Sequence, residues 1–302
     1  MKRQLKFRDD DSFVIVQFSD IEMIDAEDWD PDTPKFDQET KETMEKIIKA
    51  EHPDFIVFAG DLIASARAKD PLQSFRKAVA AAEENQIPWA AVFGNHDSEG
   101  SVTRKEMHEE QLKHEYCVAE EDPLNISGAG NFILKVKDKQ DNIGAVLYFL
   151  DSGVDGVNKN QVDWYRSNSH EITTQNGGQP IPSLAFFHIP LPEYNDAWNS
   201  QMCSGNKYEM ISRPSINTGL FTAMSEMGDV MGTFVGHDHA NDFCAVYKGI
   251  HLCYGRSTRY ISYIDGKRDD HFPTGARVIK LKSGIRQFET WIRQNDGSVI
   301  TS

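Results

Sequence analysis

The stretch IPWAAVFGNHDSEG, residues 87–100, decides how this chain is read. An apolar segment runs to Phe93 and breaks at Gly94 into an amide, an imidazole and a carboxylate at consecutive positions, Asn95, His96 and Asp97. Asn, Asp and Gly are ordinary turn residues, so alone the stretch is only a strand ending in a polar loop. Recurrence gives it meaning. FVIVQF (13–18) ends at Ser19 and Asp20, FIVFAG (55–60) at Asp61, LAFFH (184–188) at His188, and GTFVGHDH (232–239) at His237 and His239.

Between these runs lie helical patterns, with Met44, Ile47 and Ile48 on one face of a segment over 36–50 and Leu72, Phe75 and Val79 on another. The first hundred residues therefore read β-α-β-α-β, which implies a largely parallel sheet with right-handed crossovers. In the second half, NFILKV (131–136) and AVLYFL (145–150) read as a hairpin-like pair, followed by a helix over Gln161–Asn168. TTQNGGQP (173–180) reads as a surface loop, and Phe243–Ile300 as short strands with turns at YIDGK and QNDG. No repeat, low-complexity segment or linker interrupts the chain, so residues 1–302 are expected to form one domain with two packed sheets.

Bulk properties narrow the function. With 39% hydrophobic and 26% charged residues the composition is that of a globular protein. A net charge of −15 disfavours nucleic acid or an anionic membrane as the main partner. Cys117, Cys203, Cys244 and Cys253 contain no CxxC pair, so reduced thiols in a cytoplasmic protein are expected. The opening MKRQLKFRDDD has no apolar core of a signal peptide, and no apolar run is long enough to span a bilayer.

In open α/β sheets ligands bind beyond the carboxyl ends of the strands. Here those ends carry Asp20 with Glu22, Asp61, Asn95 with His96, His188, and His237 with His239. Singly, Asp20 and Asp61 could cap helices, and His188 could be a buried, hydrogen-bonded histidine. Together they form a coherent donor set: carboxylates and imidazoles suit Zn, Fe and Mn, and two ions about 4 Å apart need a shared anionic ligand. Asp61 is expected to be that bridge.

In order, SDIE (19–22), GDLI (60–63), GNHDSEG (94–100), FFHIPLPEY (186–194) and GHDHAND (236–242) resemble the successive motifs of the calcineurin-like metallophosphoesterase superfamily, closest to its purple-acid-phosphatase-like branch. The resemblance covers roughly residues 13–255. It implies an α/β fold, a four-layer α/β/β/α sandwich with two packed mixed sheets. It also implies a dinuclear centre of divalent or mixed-valence ions, with Asp20 and His239 on one metal, Asn95, His188 and His237 on the other, and Asp61 bridging. His96 matches the family's non-ligand histidine, which faces the phosphoryl group and assists the leaving oxygen, and Asp97 would orient it. The implied reaction is phosphate-ester hydrolysis by a metal-bound hydroxide. A phosphomonoester on a small molecule or phosphoprotein is the favoured substrate; a phosphodiesterase, a nucleotidase and a non-catalytic binding protein are the alternatives.

Two departures stand out. The family's Asp-x-His is here Asp20-Ile21-Glu22, and the tyrosine of true purple enzymes, three residues after the bridging aspartate, is Ala64. Glu22 either binds metal directly, since residues i and i+2 of an extended chain share a face, or approaches through water, or marks a weakened site. As a ligand it would favour Mn or Fe over Zn. Arg256, and Arg259 after it, could hold a substrate phosphate. Glu193 and Tyr194 could line the pocket, and Asp151 could support a ligand from behind. Trp29 and Trp198 are candidates for lid aromatics or for packing under a loop. His52, His108, His114, His170, His251 and His271 are expected in solvent.

Overall fold

A computed structural model describes residues 3–25, 33–200, 202–259, 263–264, 267–268 and 272–301. In chain order the elements are β1 (Leu5–Lys6), β2 (Ser12–Phe18), α1 (Thr33–Glu51), β3 (Phe55–Ala59), α2 (Pro71–Ala78), α3 (Ala80–Glu84), β4 (Trp89–Val92), α4 (Arg104–Gln111), β5 (Phe132–Lys137), β6 (Ile143–Phe149), α5 (Lys159–Gln175) and β7 (Ser183–Phe186). There follow α6 (Glu193–Trp198), β8 (Cys203–Ser204), α7 (Leu220–Met227), β9 (Val230–Val235), β10 (Cys244–Tyr247), β11 (Ile250–Tyr254), a hairpin of β12 (Tyr263–Ile264) and β13 (Lys267–Arg268), β14 (Gly275–Lys282), β15 (Phe288–Gln294) and β16 (Val299–Thr301).

Two mixed sheets result. One runs β16-β15-β14-β2-β3-β4, the other β1-β5-β6-β7-β9-β11-β10-β8. Within them β2, β3 and β4 are parallel, as are β6, β7, β9 and β11, while β5 and β6 form the expected antiparallel pair. Side-chain alternation explains why the strands read as unbroken apolar runs. On β6, Ala145, Leu147 and Phe149 point into the core between the sheets, and Val146 and Tyr148 into the core beneath α5 and α7. Phe55 meets Phe149 edge-on at 6.2 Å and Phe234 meets Phe288 at 5.5 Å, each contact joining one sheet to the other. Helix α1 packs on β2 and β14, and α6 and α7 on β10 and β9, giving the layered sandwich that the motifs imply.

Local chemistry sets the helix starts. Asp70 caps α2 by accepting from Gln73 N at 3.0 Å, with Pro71 in the first turn, and Thr103 with Glu106 forms a reciprocal capping box on α4.

Three sequence expectations change here. Cys244 and Cys253 stand directly opposite on β10 and β11 and form a disulfide, while Cys117 and Cys203 keep their thiols, so the expectation of reduced thiols fails for the cross-strand pair. His108, His114 and His251 are not solvated: their rings pack on Phe132, Trp89 and Phe288, because α4, the turn that follows it and β11 direct those side chains inward. Helix α5 extends well beyond Asn168 and takes in part of the expected loop. Trp198 packs on Phe243 at 5.0 Å, while Trp29 and His271 fall outside the described residues. Among the described residues no helix is long and apolar enough to cross a membrane.

Candidate metal centre

The donor residues follow the carboxyl ends of β2, β3, β4, β7 and β9, where parallel strands from the two sheets converge. Leaving a strand and turning a side chain back over the sheet requires unusual backbone. Asp20, Glu22, Asp61 and His237 all take the left-handed conformation, with φ of 53°, 46°, 49° and 79°. Such residues cost on the order of 1–3 kcal/mol each and persist where function holds them. Gly94 is required for another reason: a Cβ there would collide with the Asp61 carboxylate.

Asp61 sits at the hub. Its ligand atoms lie within 4.8 Å of those of His188 and His237 on one side, and of Asp20 and His239 on the other; Glu22 and His96 meet Asp61 in a third group at the same spacing. Asp61 Oδ1 accepts from His96 N at 2.8 Å, and Asp20 Oδ1 from His237 N at 2.9 Å, so each motif's backbone fixes another motif's carboxylate.

The remaining atoms fit metal ions. Asp61 Oδ2, Asn95 Oδ1 and His188 Nε2 are buried without hydrogen-bond partners, an arrangement that costs stability unless a cation satisfies it. His188 Nδ1 lies 2.9 Å from the Ala59 carbonyl, which only accepts, so the proton sits on Nδ1 and the Nε2 lone pair faces the centre. Nε2 approaches Asp61 Oδ2 at 3.0 Å without hydrogen-bond alignment, as two donors to one ion would. Electrostatics agree. Burial disfavours charge on His188, yet the Asp61 carboxylate outweighs it and pushes the imidazole up to about 9, a pull toward positive charge at Nε2 that a bound cation would satisfy in place of a proton. Burial, together with neighbouring His188, pushes His237 down to about 3, keeping its lone pair available.

His96 lies beside this hub, its side chain more than a third exposed. Its Nδ1 is 2.8 Å from Glu99 Oε2. Asp97, expected to orient His96, does something else. It is fully buried and accepts from Gly94 N at 2.7 Å and Ile63 N at 2.9 Å, bracing the turn from within. Burial and the nearby Asp61 charge push its carboxyl up to about 7. Residues 96–98 form a 3-10 turn, in which i and i+3 share a face, so Glu99 and not Asp97 reaches the imidazole. That spacing was legible in HDSE. Asp151 acts from behind the turn through Arg104, which pairs with it at 2.7 Å and donates to the Gly94 carbonyl at 2.7 Å. No sequence signal pointed to Arg104.

The calcineurin-like phosphoesterase family model matches residues 13–241. The chain belongs to this family. A relative from Arabidopsis thaliana named "Probable inactive purple acid phosphatase 29" is 35% identical over 287 residues, covering 84% of this chain and 73% of that protein. "Phosphatase DCR2" from Saccharomyces cerevisiae is 32% identical over 290 residues, covering 84% of this chain and 49% of its own. A dimetal phosphatase from Danio rerio has the same fold, with a TM-score of 0.65, 12% identity, and coverage of 96% of this chain and 98% of that one.

Within this calcineurin-like phosphoesterase the two arginines that the sequence offered as phosphate holders take different places. Arg256 is not at the centre: it is buried, pairs with Asp242 at 2.5 Å, donates to the Pro273 carbonyl at 2.6 Å and lies over the Phe272 ring. Buried, with Nη1 and Nη2 both committed, this guanidinium does not face a substrate. Arg259 instead forms an ion pair with Glu22. Glu22 Oε1 and Asp20 Oδ1 each lie 3.6 Å from His239 Nε2. Glu22 reaches the centre through its left-handed backbone, not through the extended pairing with Asp20 that the spacing suggested. Tyr194 turns inward to Thr233 and Glu193 pairs with Asn217, and neither is drawn to the centre.

Proposed function

We propose that this protein is a metal-dependent phosphomonoesterase. The observation that carries this reading is the sharing of Asp61 between the Asp20–His239 side and the His188–His237 side, with His96 at the same point. Bound ions would supply Lewis acidity toward phosphoryl oxygens and activate water. Asp20, Glu22 and His239 would hold one, Asn95, His188 and His237 the other, and Asp61 both. Three carboxylates among these ligands favour Mn or Fe over Zn, in a divalent or mixed-valence pair.

The chain's own part is orientation and proton placement. Glu99 accepts from His96 Nδ1, which leaves Nε2 as the atom turned toward the leaving oxygen. The Asp97 and Arg104–Asp151 braces keep the Asn95–His96 turn from moving when substrate enters. The substrate is a phosphorylated small molecule or phosphoprotein.

Hydrolysis of a chromogenic aryl phosphate tests the reading, with turnover abolished by a chelator and restored by Mn or Fe. A bis-aryl phosphodiester run alongside separates monoesterase from diesterase. A second reading, a non-catalytic binding protein, draws on Glu22 in the place of an imidazole and on the name of the Arabidopsis relative. Absence of turnover on every ester with Mn, Fe and Zn would give it precedence.

A further inference from the structure

We propose that Arg259, held by Glu22, is the residue that binds the substrate's phosphate and selects a dianionic phosphomonoester. This rests on the reading of the centre as a phosphoesterase site. Where the family's motif has a neutral imidazole, this chain has a carboxylate, so the centre carries one negative charge more from Glu22 beside Asp20 and Asp61. An anionic substrate is repelled by that charge. Arg259 cancels it at the point where it arises, by pairing with Glu22 Oε2 while Oε1 faces His239.

The arginine is built into the site. The backbone of 257–259 runs along the end of β2: Ser19 bridges Ser257, Thr258 N donates to the Ser19 carbonyl at 2.9 Å, and Arg259 N to the Asp20 carbonyl at 3.3 Å. Its Cα is therefore fixed against a metal-ligand residue. Its side chain is 14% exposed, Glu22 15% and His239 19%, so the guanidinium lies at the mouth with its neighbours and not beneath them. Nη1 is taken by Glu22, and a guanidinium carries five N–H donors in a fixed fork, which leaves others for phosphate oxygens. Arg256, only three residues earlier, shows the contrast: it is buried, with Nη1 committed to the Pro273 carbonyl and Nη2 to Asp242.

The test compares the Mn-loaded protein with its Arg259→Gln and Arg259→Lys variants, reading inorganic phosphate binding by calorimetry, metal content by elemental analysis, and the melting temperature. Arg259→Gln is expected to weaken phosphate binding about tenfold or more, the size of one charge-assisted hydrogen bond, at unchanged metal content. Arg259→Lys is expected to fall between the two. In turnover, KM for the aryl monoester should rise by the same factor and KM for the diester by much less. Equal phosphate affinity in parent and Arg259→Gln overturns the proposal. So does loss of a metal equivalent in that variant, which would make Arg259 a prop for Glu22 alone. Should the Gln variant not fold, Arg259→Lys decides: weaker phosphate binding supports the proposal and equal binding overturns it. Failure of the phosphoesterase reading would appear separately, as a parent protein without turnover, while the phosphate titration still reports on Arg259.

Discussion

His96 Nδ1 lies 2.8 Å from Glu99 Oε2, while Asp97, the residue beside it, faces the opposite way into the turn. The 3-10 geometry of residues 96–98 produces both facts. Glu99→Gln is therefore expected to lower kcat about tenfold, ~1.4 kcal/mol for one charge-assisted hydrogen bond, with metal content unchanged. Steady-state kinetics with parallel metal analysis checks it. An unchanged kcat would remove Glu99 from the mechanism.

Asp97→Ala has a different expected outcome. It strips two buried backbone N–H groups, those of Gly94 and Ile63, of their acceptor. The cost is about 2–4 kcal/mol of stability, read as a shift in denaturation midpoint at constant m-value. Reduced activity at unaltered stability would instead give Asp97 a direct role.

Asp61 and His188 should separate by metal stoichiometry. Asp61 belongs to every donor group at the centre, His188 to one of them. Asp61→Asn is expected to empty both positions, because two cations without a bridging anion repel strongly in a poorly solvated pocket. His188→Ala should remove about one equivalent. Equal stoichiometry in Asp61→Asn and the parent protein would refute the bridge.

Arg256 should matter for folding and not for substrate. Its partner Asp242 is as deeply buried as it is. Arg256→Gln is expected to destabilise by about 3–5 kcal/mol, the penalty of breaking a buried ion pair by removing one partner. KM should hold at temperatures where the variant stays folded. A raised KM with native stability would return Arg256 to the binding site.

Thiol titration checks the cross-strand bond. Under denaturing conditions without reductant, Cys117 and Cys203 should react and Cys244 and Cys253 should not; after reduction all should. Reaction of all of them without reductant would mean the pair is not joined.

Sequence alone determined the layered α/β fold and picked out the carboxylates and imidazoles that the structure gathers around Asp61. Strand runs such as FVIVQF and AVLYFL are apolar on both faces because each strand is covered on both sides, and polar residues collect at their ends because ligands sit beyond the sheet. Those are period and composition effects, local enough to read along the chain. Which side chain faces which was decided in three dimensions. Asp97 and Glu99 differ by a turn type, and Arg256 and Arg259 by which side of the segment after β11 faces the sandwich and which faces Glu22. Arg104 is held at the Gly94 carbonyl by Asp151, which lies just beyond the end of β6 in the other sheet. Cys244 meets Cys253 only through the register of β10 against β11. Such pairings join residues distant in sequence or turned by a single backbone angle, and neither quantity is written in the spacing of residues along the chain.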